Sequence, residues 1–88
     1  MAQFLSTHRI PGLDEEAMAE NTPDILESTF ARFVESFVDF RDGFLASIWE
    51  ADDREHVEKE LQRLGFPFLE LHQVHLRRTR ADLEASLA

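Results

Sequence analysis

Between Gln3 and Ile10 the chain runs through strand-favouring residues and stops at Pro11-Gly12, where proline fixes φ and glycine accepts a positive one. Asp14 then stands where a helix N-cap belongs, with Leu13 just outside as a hydrophobic staple and Glu15 and Glu16 in the first turn, where negative charge suits the helix dipole. This first helix is expected to end near Ser28 and to kink, or restart after Thr22, at Pro23, which lacks an amide donor. From Thr29 to Trp49 phenylalanine, valine and isoleucine dominate, and Arg41-Asp42-Gly43 interrupts them as a hairpin turn between a second and a third strand. Asp52 or Asp53 caps a second helix, in which Val57, Leu61 and Leu64 recur along one face; Gly65 ends it and Pro67 prevents its continuation. Phe68 to Leu76 reads as a fourth strand, and Thr79 caps a short terminal helix carrying Leu83 and Leu87.

Strand, helix, strand, strand, helix, strand is the ferredoxin-like βαββαβ order: an α+β fold with an antiparallel sheet and both helices on one face. Residues 1–76 form this body and residues 77–88 a helical extension. The strands do not alternate cleanly. Phe4, Ile10, Phe68 and Val74 lie on one parity, Leu5, Leu69 and Leu71 on the other, so both sheet faces want cover. Two helices cover one face. A second copy related by a two-fold axis covers the other, which predicts a homodimer, a dimeric α/β barrel.

Composition narrows the partners. Eight phenylalanines and a hydrophobic fraction of 43% place the chain among folded proteins, and the absence of cysteine removes disulfides and thiolate chemistry in 88 residues. A formal charge of −9 repels nucleic acid and anionic lipid, and the excess lies in the body, since 77–88 carries three bases against two acids. No apolar run is long enough to span a membrane and the start MAQFLSTHRI lacks a signal-type stretch, so a cytoplasmic protein is expected. Each of the three glycines serves a turn or cap, so neither a nucleotide nor a flavin is expected as cofactor.

The run SFVDFRDGFLASIWEADDREHVEKELQRLGFPFLELHQV resembles a small family of ferredoxin-like proteins, formerly a domain of unknown function and described as nickel-binding, that form dimeric α/β barrels. The resemblance rests on Ser36-Phe37-Val38, the Asp42-Gly43 turn, Ala51, His56, Gly65-Phe66-Pro67 and Val74, with Phe4 and His8-Arg9 in the first strand. It implies a divalent transition metal such as nickel. That family often has a cysteine near the position of Ser47, so a thiolate ligand is excluded here. A weaker similarity, chiefly Leu64 to Val74, points to muconolactone isomerase-like proteins. Fold likeness by itself carries no function.

Pairing the first strand with the fourth places His8 near Glu70 and His72. If the register puts them on one face, Ser6, His8, Glu70 and His72 line a patch whose donors, His8, Glu70 and His72 above all, suit nickel or zinc. The plainer alternative is that these histidines line an edge or the barrel and are satisfied by carboxylates and water. A cofactor-independent monooxygenase or isomerase is the other functional reading: His8 or His72 moves a proton, Glu70 or Glu35 orients the ring, and Trp49 or a phenylalanine packs on a small aromatic or polyketide-like substrate. His75 has the wrong parity, and His56 in a helix's first turn reads as a surface or half-buried residue. Arg77, Arg78 and Arg80 are expected either to reach an acidic partner subunit or to decorate a surface helix.

Overall fold

The computed structural model describes residues 1–87; residue 88, the last of the predicted extension, lies outside them. The elements are β1 (Ala2–Arg9), α1 (Glu15–Glu27), β2 (Arg32–Asp39), β3 (Phe44–Ala51), α2 (Arg54–Leu64), β4 (Glu70–Val74) and α3 (Arg80–Ser86). Four antiparallel strands in the order β2-β3-β1-β4 give the ferredoxin-like arrangement anticipated from the element order. No helix among the described residues is long and apolar enough to cross a membrane.

Local chemistry sets the helix ends. Asp14 accepts a bond from the Ala17 N–H (2.8 Å), Asp53 from the His56 N–H (2.9 Å), and Thr79 forms a reciprocal capping box with Asp82. Gly65 closes α2 at φ +71°, as its place before Pro67 predicts. The predicted restart at Pro23 does not occur, for α1 is one element through that residue. Proline deletes a single ladder bond there, and no residue of α1 is buried, so there is no tight packing for its ring to disturb.

Gly43 makes the β2–β3 hairpin possible. It lies at φ +65°, and a Cβ there would run into the Ile10 carbonyl, while its own carbonyl accepts the Ile10 N–H at 2.7 Å. Gly43→Ala is expected to cost about 2 kcal/mol, through strain and the displaced β1 end. An unchanged urea midpoint would contradict this.

Register decides the faces, because residues paired across antiparallel strands share one. Phe4, Ser6 and His8 go with Trp49, Ser47, Leu45 and Leu71 on the side covered by α1 and α2. There Val57 and Leu61 of α2 pack on Phe4, Trp49, Ala51 and Leu71 to form the core. Leu5 and Thr7 go with Ile48, Ala46, His72 and Glu70 on the opposite, open face. Phe37 belongs to that face and is 58% exposed. β4 is shorter than predicted, since Phe68 turns inward to pack against the core instead of extending the edge strand.

The C-terminal segment buries none of its described residues against this body. A domain of this length has a radius of gyration of roughly 12 Å; here it is 14.3 Å, and every described residue from His75 onward is exposed. Arg77 does reach an acid, but in its own chain: Glu35 on β2, at 2.9 Å.

Candidate functional site

α1 is fastened at its two ends and stands away from the sheet between them. Leu13 is buried just before its N-terminus. At the other end Arg63 of α2 donates to the Asp24 carbonyl (2.7 Å), pairs with Glu27 (3.2 Å) and forms a double contact with the Glu60 carboxylate (2.8 and 3.0 Å). Glu60, fully buried, also accepts the Phe30 N–H at 3.1 Å, which ties the α1–β2 connection to α2. Burial pushes the Glu60 carboxyl up, but the bonds from Arg63 and Phe30 outweigh it and hold the group below its usual range.

Between these fastenings lies a cavity of about 270 Å³. Met18 and Ile25 contribute to its α1 side, and Leu45, Phe33 and Trp49 to its sheet side. Phe33 and Trp49 meet edge to face, 5.5 Å between ring centroids, and make an aromatic wall. The volume exists because Ser36 and Ser47, paired across β2 and β3, put small side chains where larger ones would fill the space under the helix. Glu15 is the one titratable side chain bordering it among the described residues.

His8 stands opposite Leu45 on the same sheet face and is not among the residues that line the cavity. Its Nδ1–H donates to the Pro67 carbonyl (2.9 Å); Nε2 accepts from the Ser6 hydroxyl (2.7 Å), and Ser6 in turn accepts the Trp49 indole N–H (3.0 Å). A carbonyl can only accept, so a proton sits on Nδ1, and burial disfavours a second one on Nε2. His8 is 1% exposed, and burial pushes its pKa down, partly offset by the bond to Pro67. Both ring nitrogens are engaged, and the ring's edge-to-face neighbour is Phe66. His8 does not reach the cavity.

The predicted constellation is therefore divided. Thr7 pairs with Glu70 and Leu5 with His72, so both site residues lie on the open face, whereas His8 and Ser6 lie under the helices. Glu70 and His72 do meet, Oε2 to Nε2 at 3.1 Å, in an exposed pair. Among the described residues no three His, Asp or Glu side chains are grouped to hold a metal ion, so His8, Glu70 and His72 do not fit a nickel site within one chain. Glu35 is taken by Arg77, and His56 Nδ1 bonds the capping carboxylate of Asp53 at 2.7 Å, half-exposed as expected. His75 lies beyond the end of β4, exposed.

Sequence reasoning gave Ser36, Ser47 and Glu60 no part in a site. Each carried a signal: the serines interrupt the otherwise apolar core-side rows of β2 and β3, and Glu60 adjoins Leu61 on the apolar stripe of α2 with Arg63 three residues on.

No protein-family model matches the chain, and no curated protein sequence matches it. Among solved structures, the crystal structure of SCO4226 from Streptomyces coelicolor A3(2) superposes with a TM-score of 0.77, covering 88% of this chain and 100% of that one. The sequences are 22% identical, a likeness that establishes the ferredoxin-like fold and leaves function to the site itself.

Proposed function

We propose that the protein binds a small apolar, ring-containing molecule in the cavity between α1 and the sheet, and that it does so as a homodimer paired through the open sheet face. The observation that carries the first part is the apolar cavity held open between the two fastened ends of α1. A cavity of about 150 Å³ is enough for benzene, so 270 Å³ accommodates one or two fused rings. Binding, rather than turnover, is the activity this lining supports. A monooxygenase or isomerase needs an acid or base at the ring; His8 does not line the cavity and has both nitrogens bonded, and Glu15, which borders it, is a solvent-exposed carboxylate in the first turn of α1.

Calorimetry with naphthalene tests this part. Wild type is expected to bind it, and Ile25→Trp, which fills the cavity from the loosely packed α1, is expected to lose binding while remaining folded. Equal binding by both proteins would place the ligand elsewhere.

The dimer reading rests on Leu5, Phe37, Ile48 and Val74, apolar side chains on the sheet face away from α1 and α2. Sedimentation is expected to give a dimer at micromolar concentration and Phe37→Glu a monomer; a monomeric wild type would contradict it. The metal reading now rests on the Glu70–His72 pair, two ligands that need others from a second subunit. Tight nickel binding, lost in His72→Ala and kept in His8→Phe, is the result that would restore it in that form.

A further inference from the structure

Ser36, Ser47 and Ser6 form one row across β2, β3 and β1, all on the helix-covered face. Their surroundings differ. The Ser6 hydroxyl is committed to Trp49 and His8. Ser47, 3% exposed, and the half-buried Ser36 have no hydrogen-bond partner among the described residues; both border the cavity, and no fully enclosed side-chain polar atom is left unpaired. Their hydroxyls therefore open on the cavity, on its sheet side, where the other β2 and β3 residues are Phe33, Leu45 and Trp49.

A hydroxyl removed from water forfeits stability unless it regains a partner. Two adjacent ones on the apolar sheet side of the cavity, whose other polar side chains, Glu15, Asn21 and Thr22, stand on α1, select for a ligand that brings a partner with it. We infer that the cavity recognises an uncharged ring compound carrying one oxygen function, a phenol, alcohol or ketone, through hydrogen bonds to Ser47 and Ser36; this inference rests on the cavity being the binding site. Serine both donates and accepts, so it serves a carbonyl and a hydroxyl equally. Negative charge on the ligand is excluded by what surrounds the pair. No lysine, arginine or histidine borders the cavity among the described residues, Glu15 is its only charged side chain, and the chain carries a formal −9, so a carboxylate or phosphate is repelled and left without a counter-ion. The aromatic wall of Phe33 and Trp49 takes the ring, and the serines take its oxygen.

Three probes of one shape test this at neutral pH by calorimetry: naphthalene, 1-naphthol and 1-naphthoate. One neutral hydrogen bond gained corresponds to about fivefold; 1-naphthol is expected to bind wild type about that much more tightly than naphthalene, and 1-naphthoate least tightly. In Ser47→Ala the preference for 1-naphthol falls, naphthalene binds as well as before or better, and the urea midpoint stays level or rises because an unpaired hydroxyl has gone. Ser36→Ala gives an independent second variant. Naphthalene and 1-naphthol binding wild type equally, or the preference surviving in both variants, overturns the inference and leaves the cavity reading standing. Failure of all three probes to bind overturns both.

Discussion

Replacing His8 by alanine will cost about 4 kcal/mol, the largest effect expected of a polar substitution in this chain. Two mechanisms add. The side chain fills space against Phe66, so its loss leaves a void. It also accepts the proton of the fully buried Ser6 hydroxyl, which is then left without an acceptor although it keeps the Trp49 bond, and it donates to the Pro67 carbonyl. His8→Phe separates the two, since it restores the ring but neither accepts the Ser6 proton nor donates to the Pro67 carbonyl; it is expected to cost about half as much. The pH dependence has a definite sign. Unfolded, His8 titrates near 6.5; folded, burial holds it lower. The unfolded chain thus takes up the proton first, and His8's contribution, complete above pH 6.5, is lost as the pH falls from there toward the folded value. Urea midpoints measured from pH 7.5 downward should decline less in His8→Phe than in wild type. Equal slopes would show that the buried imidazole is not held neutral.

Glu60→Ala is expected to cost about 3 kcal/mol and to release the C-terminal end of α1. The carboxylate is fully buried and takes three bonds, two from Arg63 and one from the Phe30 N–H. Breaking a buried ion pair by removing one partner costs about 3–5 kcal/mol; the lower end applies because Arg63 is 22% exposed and retains Glu27 and the Asp24 carbonyl. Glu60→Gln keeps an acceptor for Phe30 and should lose about half as much. Because the folded pKa lies below the unperturbed 4.5, this contribution is present above that value and is lost as the pH falls through the folded one. The acid limb of the stability curve should therefore flatten in Glu60→Gln. Amide exchange should rise in α1 near Asp24 and Glu27; an undisturbed α1 would mean that the clamp does not hold the helix over the cavity.

What could be read from the sequence is what local chemistry decides. Asp14, Thr79, Gly43 and Gly65 specify caps and turns through their own side chains or lack of one, and the element order followed from them. The choice between Asp52 and Asp53 was settled only by which carboxylate reaches the His56 N–H. Face assignment was not local. Within β1, Thr7 and His8 point to opposite sides whatever the register, but the register alone says that Thr7 is the one sharing a face with Glu70. Phe4 and Val74, grouped by parity along the chain, fall on opposite faces for the same reason, since Phe4 pairs with Gln73 and Val74 with Gln3. The cavity was further out of reach. It is set by how far α1 stands from the sheet, which depends on Leu13 at one end and the Glu60–Arg63 clamp at the other, residues far apart in sequence.

The central claim is that the space beneath α1 is a binding site. Its most direct measurement follows the indole N–H resonance of Trp49, the chain's single tryptophan, together with the amides of Met18, Ile25 and His72, during titration with naphthalene. Binding in the cavity shifts Trp49, Met18 and Ile25 in concert, saturably, and leaves His72 on the open face unmoved. Shifts confined to His72 and its neighbours, or no saturable shift at Trp49, would contradict the account.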